Sequence, residues 1–254
     1  RIALFGRLLK GSVTQMLFFY VRHGDPIYSP DGLTPLGSRQ AEAVSRRLCL
    51  FGLDKIYASS SERAKLTAQP TCEILGLEPE ILDWCHEGHA WQELAVPDGK
   101  GGRRWMFEQP RFVRLFISEE VRALGHRWYE HEAFAESKAA ESMARIGRGC
   151  DELFSTLGYD HDRERRVYVA REPNDKRVAL FAHQGFGLAF LSSLLDIPYP
   201  EMSTHFNMGH SGVTVIEFKT DEDGLCVPKV LQLANDSHLY KAGLPLKYNN
   251  EIRF

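Results

Sequence analysis

No stretch of this chain approaches the roughly 20 apolar residues that a membrane-spanning helix needs. It is therefore read as a soluble protein with no membrane partner. An excess of positive charge is missing too, since the formal net charge is −3. That balance excludes a global basic field able to recruit nucleic acid by charge alone. None of the cysteines at positions 49, 72, 85, 150 and 226 lies in a CxxC pair, and their number is odd. A zinc ribbon or thioredoxin-like centre is disfavoured, the spacing suggests no disulfide framework, and a reduced, cytoplasmic setting is expected. Internal repeats and low-complexity tracts are lacking as well.

What remains is an ordinary globular composition, 43% hydrophobic and 26% charged over 254 residues, enough to bury a sizeable core. Residues 1–15 carry three basic residues and no acid. They are read as an N-terminal extension, because Met16 is a natural start immediately before the first strand. Residues 16–254 then form one domain.

Residues 16–22 read as a buried strand, short, apolar and rich in aromatics. A loop dense in Gly, Pro and Asp follows. Thr34 can cap the next helix, with Pro35 at its first position and apolar residues at helical spacing to Phe51. A second strand is expected at 54–59. The helix after it must kink or restart at Pro70, and a third strand spans Glu80 to Trp84. Residues 94–160 read as a helical insertion: one long helix opening at Pro110 with the stripe Val113, Ile117, Val121, Leu124 and Trp128, and a second over 137–157. The stretch from Arg166 to His183 reads as a hairpin turning at Pro173–Asp175 and carrying a core strand at 178–182. A helix at 186–195 and a last hairpin with a solvated acidic turn at 221–223 complete the chain. Strands alternating with helices predict an α/β three-layer sandwich with a mostly parallel central sheet.

In open α/β sheets, ligands bind outside the carboxyl ends of the strands. The first strand ends on Arg22-His23-Gly24, Arg63 follows the second by one helical turn, and the core strand ends on His183-Gln184-Gly185. Two arginines and two histidines would converge on one pocket. Arginine forks match phosphate oxygens, and stabilising charge on those oxygens is most of the work of phosphoryl transfer. A neutral imidazole nitrogen can attack phosphorus and carry the group covalently. Gly24 would keep the loop open enough for backbone to approach the ligand.

Together, "FYVRHG", "LTPLGSRQAEAV", "YASSSERAKLTA" and "ALFAHQG" resemble the histidine phosphatase superfamily, also called phosphoglycerate-mutase-like, over about residues 16–240. The resemblance implies that His23 is the nucleophile and that Arg22, Arg63 and His183 complete the phosphate pocket. It places Thr34 and Gln184 on the substrate side. It implies no metal or other cofactor, and a small phosphorylated metabolite as substrate. It also implies a carboxylic acid in the loop "LDWCHEGHAWQEL" that protonates the leaving group. Glu87 fits best, because Gly88 and Trp91 follow it; Glu93 and Asp83 stand behind it.

The remaining polar residues carry plainer readings. Cys85, His86 and His89 offer only three ligands, one pair adjacent, so a metal is disfavoured there; His86 or His89 would rather contact substrate or tune the acid. His210 returns near the pocket and can touch substrate, beside a structural reading for it and for His205 and His238. Lys100, Arg103 and Arg104 read as solvated loop charges, with a second anionic group as the alternative. The expected activity is phosphomonoester hydrolysis through a phosphohistidine. A mutase or a non-catalytic phospho-ligand binding module stands as the alternative.

Overall fold

The computed structural model describes residues 14–246. The chain opens with β1 (Gln15–Arg22), then a small hairpin of β2 (Pro26–Tyr28) and β3 (Asp31–Leu33). Helix α1 (Pro35–Leu48) leads to β4 (Lys55–Ser59), and α2 (Glu62–Leu75) leads to β5 (Glu80–Leu82). Next come α3 (Glu87–Leu94), a hairpin of β6 (Ala95–Pro97) and β7 (Arg103–Trp105), then α4 (Pro110–Phe116), α5 (Glu119–Leu124) and α6 (Ala139–Thr156). Strands β8 (Tyr159–Asp162), β9 (Val167–Ala170) and β10 (Arg177–Ala182) precede α7 (Gln184–Leu195) and α8 (Tyr199–His205). Strands β11 (Val213–Lys219), β12 (Leu225–Cys226) and β13 (Lys229–Asn235) and helix α9 (Ser237–Lys241) end the described chain.

Six strands form the central sheet in the order β13-β11-β1-β10-β4-β5. The pairs β1–β10, β10–β4 and β4–β5 are parallel, while β11 and β13 join antiparallel at one side. Strand β1 shows why it lies at the centre. Phe18 and Tyr20 point into one core, Phe19 and Val21 into the other, and all four are fully buried. An unbroken apolar run is what a strand covered on both faces requires. Helices α1 and α2 cover the face of Phe19 through Val44, Leu48, Ala68 and Cys72. Helices α3 to α8 contribute to the other face, with Phe116, Trp128, Phe154 and Phe190 among its large side chains. The protein is a mixed α/β sandwich with helices flanking a mostly parallel sheet.

Several local expectations are revised. The hairpin expected between Arg166 and His183 does not form: β9 pairs with β8 and β12 in a separate sheet, while both edges of β10 are taken by β1 and β4. The closing hairpin does form, β11 with β13, and its connection sends β12 across to β9. The helix opening at Pro110 is divided, because the Ser118 hydroxyl accepts the N–H of Val121 and starts a new helix. The buried residues there are Phe112, Phe116, Val121 and Trp128, and Ile117 is exposed. Helix α2 runs through Pro70 without restarting, α1 stops at Leu48, and the strand at Glu80 stops at Leu82. The expected extension lies outside the described residues except for Thr14 and Gln15, and Gln15 already opens β1. No helix among the described residues is long and apolar enough to cross a membrane.

Beside the sheet, β8 places His161 between two carboxylates. Nδ1 lies 3.1 Å from Asp151 and Nε2 2.8 Å from Asp196, and the ring stacks on Tyr168 with centroids 4.1 Å apart. Burial pushes the ring's pKa down, but the two carboxylates outweigh it and the net shift is upward. A raised folded-state pKa stabilises the fold fully below the unfolded value of about 6.5, and that stability is lost as pH climbs through the folded value. The denaturant midpoint of wild type minus that of His161→Gln is therefore expected to shrink between pH 6 and pH 9; a constant difference would remove the ion-pair account.

Candidate active site

Three strand ends and one loop build the site. His23 follows β1 directly, and its backbone is pinned on two sides: its N–H donates to Ala182 at 2.9 Å and its carbonyl accepts from Ser211 at 3.0 Å. Its Nδ1 lies 2.7 Å from the Gly24 carbonyl. A carbonyl only accepts, so Nδ1 carries the proton and Nε2 of the neutral ring keeps its lone pair. The ring is 1% exposed. Burial first, then the charges of Arg22 and Arg63, hold its pKa well below the ordinary histidine value. His23 is thus neutral near pH 7, with Nε2 unprotonated.

The two arginines are held by different partners. Arg22 donates to the Met208 carbonyl and meets Nε2 of His210 at 2.8 Å. Arg63, brought in by the first turn of α2, donates to Asp31 at 2.8 Å, to Nδ1 of His183 at 3.1 Å and to Glu87 at 3.3 Å. Its Nε is buried with no partner among the described residues. Because Arg63 can only donate, Nδ1 of His183 accepts, and Nε2–H of that ring faces Ser59 Oγ at 2.8 Å. Burial, then the nearby His23 and Arg63, lower the His183 pKa as well. The His23 and His183 rings lie 5.2 Å apart.

Among the three carboxylates of the acid loop, Glu87 alone joins this group. Its Oε1 accepts the Gly185 N–H at 2.8 Å, and its Oε2 lies 3.5 Å from Nδ1 of His183. Glu93 is held by Arg145 through two hydrogen bonds of 2.6 and 2.9 Å. Asp83 is 75% exposed and paired with Ser60 and His89. His86 caps α3 by accepting the Gly88 N–H, so it and His89 serve separate local contacts rather than one ion. Ligand atoms of His23, Glu87 and His183 do lie within 4.8 Å of one another. That geometry alone would suit an ion, but two buried guanidinium groups beside it favour an anion.

Some predicted substrate residues have other occupations. Gly24 is glycine because a Cβ there would stand 2.6 Å from the Gly37 carbonyl, and its N–H goes to Thr67 rather than to a ligand. Thr34 spends its hydroxyl capping α1 and donating to Asp25. His210 bridges Arg22 and Asp25, with its ring 5.6 Å from His23. Gln184 pairs with Asn207 and lines a cavity of about 750 Å³ shared with Arg104, Phe107, Glu108 and His205. Arg103 is structural, donating to the carbonyls of Gln92 and Ala95.

Tyr20, Ser59 and Asp31 were missed from sequence. The Tyr20 hydroxyl both donates to the His183 carbonyl and accepts its N–H, and Asp31 holds Arg63. A tyrosine or serine within a buried strand resembles any core residue until its partner across the sheet is known. Gly37 carries a further consequence: a Cβ there would fall 2.2 Å from the Asp25 carbonyl. Gly37→Ala is expected to cost about 1–3 kcal/mol, read as a lower denaturant midpoint, with activity falling because the His23 loop must move.

Residues 18–109 match the family model of the histidine phosphatase superfamily (branch 1). The serine/threonine-protein phosphatase Pgam5, mitochondrial, of Drosophila melanogaster is 28% identical over 136 residues, 51% of this chain and 45% of that protein. The chain thus spans a little under half the length of the curated relatives it matches. Phosphoserine phosphatase from Entamoeba histolytica shares the fold with a TM-score of 0.56 at 19% identity, covering 88% of this chain and 99% of that one. Mycobacterial glucosyl-3-phosphoglycerate phosphatase does so with a TM-score of 0.54 at 18% identity, covering 87% and 99%. The segment similar to the histidine phosphatase superfamily carries His23, Arg63 and Glu87, and the sheet beneath them has the fold of these solved phosphatases.

Proposed function

We propose that the protein is a phosphomonoester hydrolase working through a phosphohistidine on His23. The observation that carries this reading is the Nδ1 contact to the Gly24 carbonyl, which leaves Nε2 as an unprotonated nucleophile within the field of two arginines. In the first step Nε2 attacks phosphorus, the bond from phosphorus to the ester oxygen breaks, and Glu87 gives that oxygen a proton. Arg22 and Arg63 hold the non-bridging oxygens, with the Arg63 Nε an available donor, while His183 positions Arg63 by accepting from it. In the second step Glu87 takes a proton from water, the oxygen attacks phosphorus, and the bond to Nε2 breaks to release inorganic phosphate. The charges of Arg22 and Arg63 do here what a metal ion does elsewhere.

A small phosphorylated metabolite is the proposed substrate. The 750 Å³ cavity beside Gln184 is mostly polar, with Arg104, His205 and Asn207 on its wall. Relatives of the same fold named for phosphoserine and glucosyl-3-phosphoglycerate support that class. Wild-type protein is expected to release inorganic phosphate from p-nitrophenyl phosphate. Phosphate binding without hydrolysis would mark a binding module instead, and interconversion of phosphoglycerates without phosphate release would mark a mutase.

A further inference from the structure

Helices α1 and α9 enclose a cleft of about 230 Å³. Its wall carries three cations, Arg46, Arg47 and Lys241, and its apolar lining includes Ala43 and Leu50. Arg47 is tied to Asn235 and Gln232 and lies near Asp236. Arg46 and Lys241 form no ion pair among the described residues. His238, only 4% exposed, also lines the cleft. Its Nε2 meets Ser211 Oγ at 2.9 Å, and its Nδ1 is buried with no partner. Burial and the charge of Arg47 push its pKa down to about 4, so the ring is neutral and the cleft's positive charge lies on its rim.

Asp236 lies near Arg47, which leaves Arg46 and Lys241 as a surplus of cations on the wall, and the group complementary to them is an anion. The apolar lining asks for a carbon body behind that charge. Ser211 connects this place to the catalytic one. Its hydroxyl holds His238, its N–H donates to the His23 carbonyl at 3.0 Å, and its backbone sits at φ 57°, a conformation held by these contacts.

We propose that the cleft between α1 and α9 binds a small organic anion with an apolar body, a carboxylate in the simplest case, and that Ser211 passes its occupancy to His23. Arg46 and Lys241 engage the charge, and His238 lies on the cleft wall beside it.

Benzoate is a suitable probe, titrated into the full chain labelled with ¹³C-histidine, with the imidazole resonances followed by NMR. The expected result is a saturable shift of His238 with a parallel shift of His23. In Arg46→Ala/Lys241→Ala, two surface changes, affinity is expected to fall about tenfold or more, the effect of losing a charge-assisted contact. A His238 resonance that stays still, or that moves alike in the double variant, overturns the site. A His238 shift without one at His23 overturns the coupling. So does a His23 shift that persists unchanged in the double variant, since it places benzoate on Arg22 and Arg63.

Discussion

In His23→Ala, turnover of any phosphomonoester is expected to fall on the order of 10⁴-fold or more, because the attacking atom of the proposed mechanism is gone and water has no equivalent partner. Wild-type protein stopped during turnover of a ³²P-labelled ester should carry an acid-labile, base-stable label, and the variant should carry none. The structure makes this a clean substitution. The ring's own hydrogen bond goes to the adjacent carbonyl, while the backbone of residue 23 is held by Ala182 and Ser211. The loop therefore keeps its anchors when the ring is removed. A variant that folds, binds inorganic phosphate and still hydrolyses at more than a few per cent of the wild-type rate would end the covalent mechanism.

The second large effect is selective. Under the proposed mechanism, Glu87→Gln removes the proton that the leaving oxygen needs but keeps an oxygen able to accept the Gly185 N–H. An alkyl phosphate is a poor leaving group, and its hydrolysis is expected to slow about 10²–10⁴-fold. An aryl phosphate needs little protonation, so its first step should survive. Its second step should not, since the same carboxylate activates water. The variant is then expected to show a burst of phenol release and a phosphohistidine label stronger than that of wild type. Equal slowing of alkyl and aryl esters, with no burst, would move the acid to another residue. Glu93 is poorly suited to that part because Arg145 holds both of its oxygens.

What could be read from sequence was local. The apolar run of β1 identified a strand covered on both faces, and the cap of Thr34 with Pro35 located a helix start to the residue. The four arginine and histidine positions were legible because each terminates or follows such an element. Pairing was not legible. The segment around Val167–Ala170 and the one at Arg177–Ala182 look like hairpin partners because they are close in sequence, yet β10 is claimed from both sides by strands over a hundred residues away. The register of the α4–α5 region shifted for a similar reason. A single serine hydroxyl ended one helix and began another, so apolar residues at regular spacing no longer shared a face. Support for the site was hidden in the same way. Tyr20 and Asp31 act through partners that only the folded sheet supplies.

The contact of Gly24 with Gly37 has a bearing on how such a protein can change. Two chain segments meet there with no side chain between them, so the floor that aims His23 has no slack and almost no tolerated variation. The cavity lined from Arg104 to Asn207 is open and polar, and neither glycine lines it. If the proposed hydrolysis holds, phosphoryl chemistry can stay fixed on the glycine side while the residues beyond Gln184 drift, and a search for altered selectivity has its productive positions marked out in advance.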